Sequence, residues 1–121
     1  MSKILLAEDD PFLTDIYKTK FKEAGLDLKI VSDGSEVLEK TKEEKPDLVL
    51  LDIVLPQMDG WEIIKSLRSD TSLKGLKIVF LSNLGQKEEV EKGMKLGADG
   101  YLIKSNFTPS EVVNEIKKYL K

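Results

Sequence analysis

The sequence contains no cysteine and no histidine in 121 residues. The first absence excludes a disulfide framework and a thiolate metal centre. The second removes the imidazole nucleophile, the imidazole base and the commonest metal ligand. Any metal held here must be held by oxygen, which favours hard cations such as Mg²⁺. Long apolar runs are also missing, and none approaches the roughly 18 residues that cross a membrane. There is no basic surplus: the net charge is -3 and both signs are scattered along the chain. Because a DNA-binding domain usually shows a basic patch, direct nucleic-acid contact is not expected. Met1-Ser2-Lys3-Ile4 enters a strand-like run at once, with no signal-peptide pattern. These absences point to a cytoplasmic protein without a membrane partner. The length fits one domain, residues 1–121.

What is present centres on Pro46-Asp47-Leu48-Val49-Leu50-Leu51-Asp52. Four consecutive apolar residues, Leu48 to Leu51, read as a strand buried on both faces, the pattern of a parallel sheet covered by helices. Asp52 closes the run. Alone it reads equally as a turn residue, a cap, or a carboxylate at the ligand-binding edge of an open α/β sheet. Similar runs occur at 3–7, 28–31, 77–81 and 101–103, so five strands are predicted.

Helical patterns alternate with them. The first, about 11–24, starts at Pro11 with Asp10 as N-cap and presents Phe12, Ile16 and Phe21 at near-helical spacing. A second spans about 35–44 with little apolar surface, Val37 and Leu38. A third runs from Asp59-Gly60-Trp61-Glu62 to about Ser69, with Asp59 and Glu62 at capping-box spacing. A fourth, about 86–96, is expected to carry Val90 and Met94 inward. Thr108-Pro109-Ser110-Glu111 opens a fifth with Val112, Val113, Ile116 and Leu120 on one stripe. The pairs Glu36–Lys40, Glu88–Lys92 and Glu91–Lys95 have favourable i,i+4 spacing. Five strands alternating with five helices imply a doubly wound α/β fold with a parallel sheet and helices on both faces.

In such a sheet the residues after strands one, three, four and five share one edge. They are Glu8, Asp9 and Asp10; Asp52; Ser82 and Asn83; and Lys104. Two unit charges at about 4 Å repel by about 4 kcal/mol at an effective dielectric near 20. A divalent cation removes that penalty. Asp9 and Asp52 can supply carboxylates to Mg²⁺ and Val54 its backbone carbonyl, because Mg²⁺ takes one or two carboxylates and keeps several waters. A carboxylate can also be a nucleophile and form an aspartyl-phosphate. The Lys104 ammonium, the Ser82 hydroxyl and the Asn83 backbone N–H would then face the phosphoryl oxygens.

The motifs ILLAEDD, PDLVLLDIVLPQMDG, FLS and GADGYLIK resemble those of the receiver domain of two-component response regulators, over the whole chain. The resemblance implies the sheet order 2-1-3-4-5. It makes Asp52 the phosphoacceptor, Asp9 a direct Mg²⁺ ligand and Glu8 a support through water. It also makes Val54 a carbonyl ligand, Ser82 the switch hydroxyl, Lys104 the phosphate-binding lysine and Tyr101 the aromatic that turns inward.

A histidine kinase, a phosphotransfer protein or a small phosphodonor would supply the group, and the chain would catalyse its own phosphorylation and dephosphorylation. Signalling would pass through the face of the fourth helix, fifth strand and fifth helix, which holds Tyr101, Lys104 and Ser105. No DNA-binding or enzymatic module follows in this sequence, so the receiver would signal to a downstream protein of unknown identity, unless the chain is an excised fragment of a longer one. A phosphorylation-dependent dimer is compatible with this reading. Ser105 stands where the family mostly has proline, which predicts a trans Lys104–Ser105 peptide. Asn83 replaces a typical small residue. Val54 and Leu84 are apolar where some relatives have polar residues that orient water, so a long-lived phosphorylated state is expected.

Three alternatives stay open on sequence alone. A haloacid-dehalogenase-like phosphatase would want an aspartate where Val54 stands. A flavodoxin-like carrier would want a Ser-, Thr- and Gly-rich first loop rather than Glu8-Asp9-Asp10. A receiver that binds partners without phosphorylation would keep the fold alone.

Overall fold

A computed structural model describes all residues, 1–121. Five strands, β1 (Lys3–Ala7), β2 (Asp27–Val31), β3 (Leu48–Leu51), β4 (Lys77–Ser82) and β5 (Gly100–Ile103), form one parallel sheet in the order β2-β1-β3-β4-β5. The helices are α1 (Pro11–Glu23), α2 (Val37–Glu44), α3 (Gly60–Ser69), α4 (Lys87–Lys95) and α5 (Pro109–Tyr119). The expected class and strand order are both present. Every peptide bond is trans, Lys104–Ser105 included.

The apolar runs divide by alternation, because successive strand residues face opposite sides of a sheet. Leu5, Ala7, Val49, Leu51, Ile78 and Phe80 meet Val37 of α2 and Ile63, Ile64 and Leu67 of α3. Ile4, Leu6, Leu48, Leu50, Val79, Leu81 and Leu102 meet Tyr17 and Phe21 of α1 and Val112, Val113 and Ile116 of α5. Truncating one such buried Leu or Ile to Ala typically costs about 2–5 kcal/mol. That is a large share of the roughly 5–15 kcal/mol that holds a domain together.

The helix starts follow local chemistry. Asp10 accepts from the N–H groups of Phe12 and Leu13 and Pro11 begins α1. Thr108 and Glu111 form a reciprocal capping box at α5. Asp59 accepts from Glu62 N–H at 3.0 Å, one half of the box its spacing suggested.

Four details differ from the sequence reading. The inner stripe of α1 is Thr14, Tyr17 and Phe21, while Phe12 is 81% exposed and Ile16 also faces solvent. A count of apolar side chains alone overlooked that Thr and Tyr bury well at i, i+3 and i+7. Met94 of α4 is 44% exposed, not inward, and Gly93 takes the buried position beside it. The pairs Glu36–Lys40, Glu88–Lys92 and Glu91–Lys95 do not form; Lys40 pairs with Glu43 at 3.8 Å and Lys92 lies over the Trp61 ring. Exposed ion pairs contribute well under 1 kcal/mol, so competing partners easily displace them. The start of the second helix is a 3₁₀ turn at Gly34–Glu36 before α2.

Arg68, at the end of α3, fastens the opposite edge of the sheet. Its Nε donates to Gly97 O at 2.9 Å, its Nη1 to Leu76 O at 2.6 Å and its Nη2 to Asp99 Oδ2 at 3.0 Å. The same Asp99 oxygen accepts from Ile78 N–H at 2.9 Å. One planar guanidinium thereby joins α3, the approach to β4 and the approach to β5. Arg68→Ala is expected to cost about 2–3 kcal/mol in urea unfolding, because it strands two carbonyls and a carboxylate. Arg68→Lys should recover only a small part, since one ammonium cannot reproduce the fork.

Candidate functional site

Glu8 and Asp52 each stand one residue beyond a strand, and the ladder continues far enough to place them. Glu8 N–H donates to Val31 O at 3.0 Å and Asp52 N–H to Ala7 O at 3.1 Å. Adjacent strands β1 and β3 therefore deliver two carboxylates to one cleft. The loop after β3 is closed by Gly60 N–H donating to Ile53 O at 2.7 Å. A Cβ at Gly60 would lie 2.6 Å from Asp52 O, a backbone atom, so only glycine lets α3 start this close.

One carboxylate oxygen from each of Glu8, Asp9 and Asp52 lies within 4.8 Å of the others. Glu8 is 1% and Asp52 5% exposed. Asp52 Oδ1 accepts from Ile53 N–H at 2.7 Å, and Oδ2 accepts from Lys104 Nζ at 2.8 Å. Lys104 Nζ also stands 2.5 Å from Glu8 Oε1. That contact is a charge pairing rather than an aligned hydrogen bond, and it leaves Glu8 Oε1 as a buried oxygen without a directed donor. Glu8 Oε2 accepts from Asp9 N–H at 3.1 Å and Asp10 N–H at 3.2 Å, which fixes the turn that presents Asp9.

The electrostatics follow from burial and crowding. Burial pushes the Glu8 carboxyl up, and the Lys104 ammonium against it opposes the rise without cancelling it. Burial works to lower the Lys104 ammonium, but Asp52 first and then Glu8 outweigh it, so its pKa is raised. Burial also raises Tyr17, a buried α1 residue that feels Lys104, Glu8 and Asp52. Three carboxylates and one ammonium leave a formal charge of two negative. An all-oxygen donor set with that residual charge, and a buried carboxylate oxygen still lacking a directed donor, can hold a hard divalent cation.

The structure brings together Glu8, Asp9, Asp52 and Lys104. Glu8 meets Lys104 directly, a contact the sequence did not reveal. Asp10 stands apart as the α1 cap. Ser82 is buried at the end of β4, in register with Ile103 beside Lys104, and its Oγ accepts from Leu84 N–H at 3.3 Å. Asn83 follows it, exposed. Val54 lies in the β3–α3 loop with its side chain outward. Tyr101 sits on β5, half-buried against Phe80, and its hydroxyl donates to Leu84 O. Burial first, then Glu89 and Asp52, push that hydroxyl up to about 12. The ring row of Trp61, Phe80 and Tyr101 was not foreseen, although all three are visible as aromatics beside the motifs.

A doubly wound parallel sheet with an acidic cleft at the carboxyl ends of its strands defines a class of α/β domain whose ligands bind at that edge. Within that class the chain belongs to the response regulator receiver domain family, whose model matches residues 4–117. It is 36% identical to the DNA-binding response regulator MtrA of Mycolicibacterium smegmatis, over 98% of this chain and 50% of that one. It is 37% identical to the alkaline phosphatase synthesis transcriptional regulatory protein PhoP of Bacillus subtilis, over 98% of this chain and 48% of that one. The chain thus spans about half the length of these curated relatives. The BeF3-activated N-terminal receiver domain of Klebsiella pneumoniae RstA superposes with a TM-score of 0.91 at 29% identity, covering 99% of both chains.

The raised Glu8 carboxyl generates a stability test. The fold favours its neutral form, so its contribution is fully present below the ordinary carboxyl value of 4.5 and is lost as pH rises through the raised value. Glu8→Gln should raise the thermal midpoint of the chelator-treated protein by a few degrees at pH 7. The difference should close below about pH 4, where wild type is also neutral. A lower midpoint at pH 7 would refute the assignment.

Proposed function

We propose that this receiver is a phosphorylation switch in which Asp52 accepts the phosphoryl group. The observation that carries the reading is the placement of Asp52 Oδ2 on the Lys104 ammonium at 2.8 Å inside the Glu8–Asp9–Asp52 cluster. A carboxylate oxygen of Asp52 attacks phosphorus as the bond from phosphorus to the donor's nitrogen or oxygen breaks, which leaves an acyl phosphate on Asp52. The donor is a histidine kinase, a phosphotransfer protein or a small phosphodonor such as acetyl phosphate.

Mg²⁺ is the proposed cofactor, with Asp9, Asp52 and the Val54 backbone carbonyl as ligands and Glu8 acting through water. When bound it supplies countercharge to the phosphoryl oxygens. Lys104 adds a second cation already drawn to Asp52. The Ser82 hydroxyl and the Asn83 backbone N–H donate to the remaining oxygens. The description of the similar RstA receiver as BeF3-activated supports the same chemistry here.

Phosphorylation shifts a two-state equilibrium read at the face of α4, β5 and α5, where Tyr101 reports the position of Ser82. A downstream protein, or a second copy of the chain, reads that face, and the chain's own catalysis later removes the phosphoryl group. The cytoplasm is the proposed location, consistent with the lack of any helix long and apolar enough to cross a membrane.

Mass spectrometry after incubation with acetyl phosphate and Mg²⁺ tests this. One phosphoryl adduct is expected, absent in Asp52→Asn and absent with a chelator. An adduct that survives in Asp52→Asn would overturn the assignment. The apolar Val54 and Leu84 leave few groups to orient an attacking water, so the adduct should persist for minutes or longer. Loss within seconds would contradict that part.

A further inference from the structure

The cleft has an inner wall as well as an open mouth. Leu6, Leu50 and Leu102 face the layer formed by α1 and α5. Glu8, Asp52 and Lys104 each stand two residues beyond one of them, and a strand repeats its facing every two residues. The three charged groups therefore rest on that same layer. α1 starts at the cleft, its cap Asp10 two residues after Glu8, and helix side chains lean back toward the N-terminal end. Thr14 comes first on the buried stripe, with its hydroxyl donating to Pro11 O at 3.1 Å. Tyr17 comes next. It is 3% exposed, and Phe21 holds its ring edge-on with centroids 6.3 Å apart. Two polar atoms remain unpaired in this corner. Glu8 Oε1 is sealed from water without a directed donor. The Tyr17 hydroxyl makes no hydrogen bond within the protein, whereas that of Tyr101 does. The charged groups that reach it are Lys104 first, then Glu8 and Asp52.

We infer that Tyr17 is a positioning residue of this cleft, given Asp52 as the phosphoacceptor: its hydroxyl takes over Glu8 Oε1 when the Lys104 ammonium turns to a phosphoryl group on Asp52. In the resting cleft one ammonium serves both carboxylates, donating to Asp52 Oδ2 at 2.8 Å and facing Glu8 Oε1. A phosphoryl group adds oxygens that compete for that ammonium. Each N–H given to them is withdrawn from Glu8, whose buried oxygen then needs another donor. A phenol can donate to a carboxylate oxygen and accept an ammonium N–H through its own lone pair. Phenylalanine fills the same space and can do neither. The hydroxyl thus stabilises the arrangement in which Lys104 serves the phosphoryl oxygens, without itself touching the reacting atoms.

Tyr17→Phe, with Tyr119→Phe as control, tests this on the full chain. Without Mg²⁺ or phosphodonor, Tyr17→Phe should not lower the thermal midpoint, because the resting hydroxyl has no partner to lose. With acetyl phosphate and Mg²⁺, its rate of adduct formation on Asp52 at saturating donor should fall about tenfold, the order set by one hydrogen bond to a charged group. The half-saturating donor concentration should not change. A second readout needs no turnover. In wild type labelled with ¹³C at the tyrosine Cζ carbons, the Tyr17 resonance, identified by its loss in Tyr17→Phe, should move when Mg²⁺ and beryllofluoride are added. The Tyr119 resonance should stay in place. An unchanged saturating rate in Tyr17→Phe, or an unmoved Tyr17 resonance, would overturn the role of Tyr17 and leave Asp52 as phosphoacceptor. An equal loss of rate in Tyr119→Phe, or a lowered resting midpoint in Tyr17→Phe, would also overturn it, by making the effect one of packing. No adduct in wild type would overturn the phosphoacceptor reading itself.

Discussion

Three carboxylates occupy one small volume with a single ammonium among them, and the rest of the fold keeps them there. At the separations involved, each uncompensated pair is worth a few kcal/mol of repulsion. Against a total stability of roughly 5–15 kcal/mol that is a serious load. Lys104 relieves part of it by touching Glu8 and Asp52 together. The remainder is borne by the sheet: β1 and β3 are neighbours, their interiors are fully apolar, and neither strand can retreat without exposing that surface. The crowding is thus a consequence of strand order and of where each apolar run stops.

Backbone geometry turns this crowding into a defined cleft. Glu8 uses one oxygen to hold the Asp9 and Asp10 N–H groups and turns the other toward Lys104. Asp52 is oriented by its own neighbour, Ile53 N–H, on one oxygen and by Lys104 on the other. Gly60 lets α3 begin against the backbone of Asp52 itself. A side chain at that position would push the loop outward and change the aim of the acid. On the far side of the sheet Arg68 performs the matching task, so that the strands are fixed at both ends.

Much of this was legible in the residues, and the exceptions share a cause. Strands were legible because an apolar run bounded by Pro or acid has few other meanings, as at Leu48 to Asp52. The cleft residues were legible because parallel strands put their ends on one edge. The inner face of α1 was misjudged because Phe12 is apolar yet exposed, whereas Thr14 and Tyr17 are polar-tipped yet buried. The α4 register failed for a related reason: periodicity weighs side chains, and the inward position there is a glycine. The ion pairs read from i,i+4 spacing failed because each is worth too little to resist a better partner, and Lys92 found an aromatic ring. The Glu8–Lys104 contact lay outside any local pattern, since it joins positions 96 residues apart in sequence through strands β1 and β5.

Lys104 shows how such a site can transmit a change of charge. Its side chain is largely withdrawn from water, which alone would lower its affinity for a proton. It stays charged because two carboxylates face it, so its position depends on their charge as much as on packing. It is also the first residue of the 3₁₀ turn Lys104–Asn106 that leads from β5 toward α5. Any redistribution of negative charge among Glu8, Asp9 and Asp52 alters the pull on Lys104 before it alters any apolar contact. The effect then reaches a surface turn through a single residue, with no need for the sheet to deform. On the proposed phosphorylation of Asp52, Lys104 would be the first residue to feel the new charge, and it stands where β5 gives way to the surface turn.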